Sequence, residues 1–195
     1  QAGLEFLDQT EDEPFFLYLA HTMPHVPLFA SEEFEGKSRR GLYGDVVEEL
    51  DWSCGEILGA VRDLGIEDNT LVFFTSDNGP WCNDHARQRA KNAKYVEWTK
   101  GPEIPWGHAG PLRGAKGSTW EGGVRVPGIV RWPGRVKANS TSDAIISTLD
   151  VLPTFSALAG AANKVPTDRI IDGVDRSALL TGTSKEGARD HFLYY

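Results

Sequence analysis

The chain has 195 residues, 40 % of them apolar and 25 % charged, the makeup of a globular domain long enough to bury a substantial core. A formal net charge of −8 argues against general nucleic-acid binding, while leaving room for a local basic patch facing an anionic substrate. Two cysteines, Cys54 and Cys82, are too few for a disulfide scaffold, and no run of about 18 apolar residues marks a membrane span.

Residues 3–9 read as the end of a helix. The run PFFLYLA, Pro14 to Ala20, is apolar on both faces and short, which predicts a strand covered on both sides. The following HTMPHVPLFA is a loop, because its prolines bar regular structure. From Tyr43 to Leu64 the apolar residues recur every three or four positions, predicting an amphipathic helix that Gly65 ends. Thr70 to Thr75 is then a second strand. Strand, helix and strand predict a βαβ unit with a right-handed parallel crossover. Residues 80–111 read as a long loop or insertion, a length usually tied to function or disorder. Val124 to Trp132 predicts a strand interrupted at Pro127, and Ser142 to Thr148 a short strand. Asp150 is expected to N-cap a helix over Val151 to Ala159, with Pro153 in its first turn. A short helix follows near Arg176 to Leu180, and the closing HFLYY reads as the start of a strand. The N-terminus has no basic patch followed by an apolar run, so no signal peptide is visible. Asn139-Ser140-Thr141 matches the glycosylation sequon, a pattern common by chance.

Three clusters carry residue types suited to chemistry. Asp77 and Asn78 follow a strand, and ligands of parallel α/β sheets sit beyond the carboxyl ends of strands. A carboxylate beside an amide oxygen is a hard donor pair suited to Ca²⁺ or Mg²⁺, yet two oxygens fall short of the six to eight that Ca²⁺ takes. The same residues also make an ordinary Asp-Asn-Gly turn. His21 and His25 follow the first strand, where a histidine can bind an oxyanion or protonate a leaving group, or simply occupy a loop. Residues 110–127, GPLRGAKGSTWEGGVRVP, place Arg113, Lys116 and Arg125 among five glycines, which let backbone approach a ligand closely. The nucleotide P-loop spacing is absent there. Glu121 and Arg125 equally make a surface pair, and the glycines equally shape a turn.

The order of these clusters resembles the sulfatase family, the arylsulfatase-like branch of the alkaline-phosphatase superfamily. The likeness runs through PFFLYLA, GDVVEELDWSCGEIL, TLVFFTSDNG, GPLRGAKGSTWEGGVRVPGIVRWPG, STLDVLPTFSALAG and DGVD. It implies an α/β fold, part of an alkaline-phosphatase-like sandwich with a mostly parallel central sheet flanked by helices. It implies a sulfuric ester hydrolase acting on a sulfated small molecule or glycan. By the same resemblance His25 contacts the ester and assists the leaving group, Lys116 holds the sulfate, and Asp77 and Asn78 bind the divalent cation, usually Ca²⁺ with Mg²⁺ possible. His108 and Arg113, close before Lys116, are candidates for lining the substrate pocket. His21 reads as a supporting residue, and Asp45, Asp51, Glu121 and Arg125 as structural.

One departure matters. The family's Cys-x-Pro-x-Arg or Ser-x-Pro-x-Arg motif, whose first residue becomes the formylglycine nucleophile, is absent. Gly55 and Glu56 follow Cys54, and Asn83 and Asp84 follow Cys82. The paired aspartates that complete the family's metal site, and its small C-terminal sheet, are also missing. Residues 1–195 are therefore expected to be a partial catalytic domain cut at both ends, inactive in isolation. The 81–110 segment, with Trp81, Tyr95, Trp98 and Trp106, is expected to shape specificity. Export to periplasm, lysosome or the extracellular space follows the family habit. A phosphodiesterase or phosphonate monoester hydrolase of the same superfamily, and a non-catalytic module binding sulfated glycans, are the competing readings.

Overall fold

The computed structural model describes residues 1–10, 13–81, 107–184 and 189–194. The chain divides into two units, one of residues 1–67 and 78–126, the other of 68–77 and 127–195.

The first unit is built on two helices, α1 (Ala2–Gln9) and α2 (Gly41–Asp63). The three-and-four spacing of α2 turns Val46 and Val61 inward, where both are buried. Leu7 of α1 is equally buried, and Gly3 lets α1 approach α2 so closely that a Cβ there would sit 3.0 Å from Ile57 Cδ1. Gly65 ends α2 as expected. Its φ of +71° suits glycine, its N–H donates to the Arg62 carbonyl at 2.9 Å, and Ile66 N–H donates to the Val61 carbonyl at 3.2 Å. That pair of bonds is a Schellman closure, which occupies carbonyls the last turn leaves open. Near the other end Asp45, buried just past the first turn, accepts from Ser38 N–H at 2.7 Å and Gly36 N–H at 2.9 Å. Those amides, Ser38 foremost, hold its carboxyl below the usual carboxylate range. Asp45 is thus structural, as expected: it ties the preceding loop to the helix.

Pro14 to Ala20 departs from expectation. Phe15 and Leu17 are half-buried while Phe16 and Tyr18 are exposed, so the run is one-sided rather than covered on both faces. It enters no strand ladder among the described residues. Phe15 packs edge-on against Phe6 of α1, with ring centroids 6.0 Å apart.

The second unit holds the strand pair among the described residues, β1 (Val72–Thr75) and β2 (Gly128–Arg131). They run antiparallel, with Phe73 opposite Val130 and Phe74 opposite Ile129. The expected parallel crossover is therefore not the pairing formed here, and the described part of the α/β fold carries a small antiparallel sheet instead. Strand β2 is also shorter than expected. Proline has no N–H to give a ladder, so the strand starts after Pro127, while Val124 lies in a helical turn, α3 (Glu121–Val124), in the first unit. Trp132, buried just past β2, donates its indole N–H to the Asp68 carbonyl at 3.0 Å, tying the end of β2 to the turn before β1.

Ser142 to Thr148 does not form a strand. It leads into a 3-10 turn, Thr148–Asp150, closed by a reciprocal capping box: Ser147 Oγ accepts from Leu149 N–H and the Asp150 carboxylate accepts from Ser147 N–H at 2.9 Å. Helix α4 (Val151–Leu158) follows with Pro153 in its first turn, and Phe155 meets Phe73 of β1 edge-on. Asp150 does not cap α4 with its side chain. Its carboxylate accepts from Val174 N–H at 2.8 Å, lies 3.4 Å from Arg176 Nε, and lies 2.6 Å from Arg189 Nη2. The Arg176 backbone N–H donates to Thr154 Oγ1 at 2.9 Å, and its guanidinium also donates to the Ile145 carbonyl. Helix α5 (Ser177–Leu180) follows Arg176. Residues 191–194 form no strand, and Tyr195 lies outside the described residues.

Candidate active site

β1 ends at Thr75, and the chain leaves it through Ser76, Asp77 and Asn78. Asp77 is exposed, with Ser76 Oγ 3.5 Å from its Oδ1. Asn78 is half-buried and donates its amide N–H to the Gly79 carbonyl at 3.1 Å. With that nitrogen committed, the amide oxygen is the atom of Asn78 suited to a cation.

The next two residues are stitched to the glycine-rich segment. Gly79 N–H donates to the Gly123 carbonyl, and Lys116 N–H donates to the Pro80 carbonyl, each at 2.9 Å. Gly122 N–H donates to the Arg113 carbonyl and Gly123 N–H to the Trp120 carbonyl, each at 2.7 Å. A Cβ on Gly79 would collide with the Gly122 carbonyl, one on Gly122 with the Gly114 and Arg113 carbonyls, and one on Gly123 with the Ser118 and Ala115 carbonyls. Only glycine permits backbones that close. Of the two uses expected of these glycines, close approach of a ligand or shaping of a turn, the structure shows close approach of another stretch of the same chain, with Gly117 shaping a turn.

Lys116 sits in a four-residue turn. Ser118 N–H donates to the Ala115 carbonyl at 3.0 Å, and Gly117 has φ +89°, the signature of a type II turn. Ser118 Oγ reinforces it by donating to the same carbonyl at 2.9 Å. Lys116 is half-buried and forms no ion pair among the described residues. Arg113 stacks on Trp120, its Cζ 3.6 Å from the ring centroid. Glu121 and Arg125 form the exposed surface pair expected of them, at 3.1 Å.

His108 is exposed, and its Nδ1 accepts from Gly110 N–H at 2.8 Å. Beside it, Gly107 lies so near Pro80 and the Tyr43 hydroxyl that a side chain there would overlap Pro80. His25 is exposed, with Nδ1 2.7 Å from the Val26 carbonyl. A carbonyl only accepts, so Nδ1 carries the hydrogen and Nε2 is the nitrogen left for proton exchange. His21 meets Ser53 Oγ of α2 at 3.0 Å, which anchors this loop to the helix and fits its supporting role.

Within the first unit these contacts therefore bring the Asn78–Pro80 segment, Lys116 and the His108 segment to one junction. His25 forms its own bonds within its loop. Trp120 and Ser118 were not singled out from sequence. The only signal for Trp120 is an aromatic separated by one residue, Glu121, from a glycine pair. Trp98, Trp106, Tyr95 and Cys82 lie outside the described residues. Asp77 and Asn78 supply donors of the right kind for a hard cation, and among the described residues no three His, Cys, Asp or Glu side chains gather as a ligand set.

The sulfatase family model matches residues 1–161. Human steryl-sulfatase is 40 % identical over 191 residues, covering 98 % of this chain and 30 % of that protein. Human arylsulfatase A is 40 % identical over 186 residues, covering 95 % of this chain and 32 % of that protein. Among solved structures, the PsFucS1 sulfatase from Pseudoalteromonas sp. superposes with a TM-score of 0.78 at 31 % identity, over 92 % of this chain and 33 % of that one. The chain thus spans about a third of the length of the proteins it matches. On the match to its first 161 residues and these identities, the chain belongs to the sulfatase family of the alkaline-phosphatase-like superfamily.

Proposed function

We propose that the natural protein hydrolyses a sulfate ester, with Lys116 holding the sulfate and Asp77 and Asn78 contributing to a divalent-cation site for Ca²⁺ or Mg²⁺. The observation that carries this reading is the bond from Lys116 N–H to the Pro80 carbonyl, which ties a lysine with no ion pair among the described residues to the chain two positions after Asn78. A sulfate ester is an anion, and S–O cleavage builds negative charge on the leaving oxygen. Fixed positive groups aimed at that charge lower the barrier. When bound, the cation supplies Lewis-acid stabilisation of the same charge. His25, with Nδ1 engaged by Val26, has Nε2 available to hand a proton to the leaving oxygen. His108 and Arg113 lie close before Lys116 in sequence and are assigned to the pocket wall.

No residue of this chain fits the family's nucleophile. Cys54 lies in α2, followed by Gly55 and Glu56, and burial together with the Asp51 charge pushes its thiol pKa up, away from the reactive thiolate. No nucleophilic step is therefore assigned to these residues, and the isolated chain is proposed to be inactive. The substrate is a sulfated small molecule or glycan, in an exported compartment. No described helix is long and apolar enough to cross a membrane.

In the natural holoenzyme, Lys116→Ala is expected to lower kcat/KM for a chromogenic aryl sulfate by roughly a hundredfold. Unchanged kcat/KM would remove Lys116 from the mechanism. Sustained product release by the isolated chain with Ca²⁺, above its own Lys116→Ala control, would refute the proposed inactivity.

A further inference from the structure

Lys116 sits at the tip of a small closed loop, and the closure is made by two residues that flank it. Arg113 and Trp120 stack at 3.6 Å. Each also accepts, at its carbonyl, a backbone bond from the glycine pair, Arg113 from Gly122 and Trp120 from Gly123. Gly123 in turn accepts from Gly79. Inside the clasp, Gly114 has φ +84° and lies against Trp120, so that a Cβ there would reach Trp120 Cβ at 2.8 Å. The Ala115–Ser118 turn, which carries half-buried Lys116, is built on this base.

We propose that Trp120 is a positioning residue for Lys116: its ring holds the Arg113 guanidinium, the stack closes residues 113–120, and the closed loop fixes where the ammonium meets the sulfate. This rests on the assignment of Lys116 as the sulfate-holding group. A lysine stem carries four rotatable bonds, so the reach of its ammonium is useful only if the backbone beneath it is fixed. Trp120 is half exposed, and the guanidinium face of Arg113 is committed to the ring, so the pair acts through the loop it closes.

The test is a mutant cycle in the natural holoenzyme, read by competitive inhibition with inorganic sulfate. Trp120→Leu keeps an apolar side chain but removes the aromatic face; it is expected to raise the sulfate Ki roughly fivefold, whereas Trp120→Phe, which keeps a face, stays within about twofold. In a Lys116→Ala background Trp120→Leu should change the Ki no further. Arg113→Met opens the same clasp from its other side, should give the same shift, and carries the test if Trp120→Leu fails to fold. An additive effect in the Lys116→Ala background would overturn the proposal. So would a rise in KM for the ester with an unmoved sulfate Ki, which would make Trp120 a direct contact of the organic part of the substrate. A sulfate Ki indifferent to Lys116→Ala itself would instead refute the assignment of Lys116.

Discussion

Two regions of this molecule handle charge in opposite ways. Around Asp150, in the second unit, one carboxylate and two guanidinium groups are committed to one another: Asp150 and Arg176 are 1 % and 2 % exposed, and Arg189 completes the cluster. Around Lys116, in the first unit, the chain segments are joined by backbone hydrogen bonds, and the Arg113 guanidinium lies on the Trp120 ring rather than on a carboxylate. Glycine carbonyls and amides satisfy each other, and the cation they carry is left without a counter-ion among the described residues. The first arrangement spends its charges on holding chain segments together. The second joins its segments through backbone bonds and leaves Lys116 without an ion pair among the described residues. A charged side chain with no partner, on a backbone that is rigidly tied, is therefore the more informative mark of function.

The sharpest way to break this comparison is to remove the shared carboxylate. Asp150→Ala leaves a buried guanidinium unpaired and frees the Val174 amide, and should destabilise the fold by about 3–5 kcal/mol, seen as a lower urea midpoint. A loss under about 1 kcal/mol would mean that the cluster is incidental. Next comes Gly79→Ala. The added methyl meets the Gly122 carbonyl, so the strand exit and the loop must separate, at a cost of about 1–3 kcal/mol. Sulfate affinity should fall with it; an unchanged Ki would dissociate the junction from the site. The smallest effect belongs to Asp45, a buried carboxylate satisfied by amides rather than cations. Its folded pKa lies below the ordinary 3.8, so its stabilisation is present above pH 3.8 and is lost as pH falls through the folded value. The stability gap between the natural protein and Asp45→Asn should therefore shrink on acidification through that window. A gap independent of pH would show that the amide bonds do not discriminate the ionised form.

Local signals in the sequence carried much of the helical structure. The spacing from Tyr43 to Leu64 and the glycine at 65 described α2 and its end, because both are properties of a short stretch of chain. Pairing was less legible. Periodicity says which face of a segment is apolar, not which segment lies beside it, so Pro14 to Ala20 and Thr70 to Thr75 read as parallel partners while β1 pairs with β2. Asp150 was read as a local cap because its long-range partners, Arg176 and Arg189, leave no trace at position 150. At the site, the residue types at 77, 78 and 116 were legible and the contacts between their segments were not. A glycine announces that something comes close without saying whether it is ligand or chain. Trp120 went unread for the same reason: its role depends on Arg113, seven positions earlier, lying across its ring.

The indole of Trp132 bonds to a carbonyl 64 residues earlier, so the strand pair it braces is the neck of a long excursion of the chain. Drawing such a neck closed costs entropy that grows only with the logarithm of its length, about 0.6 kcal/mol for each doubling. Away from the junction of residues 78–80 with 113–123, residues can thus be inserted or removed between the two strands at small thermodynamic expense. A scaffold tied off in this way lets the length of the intervening chain vary while the strands stay in register.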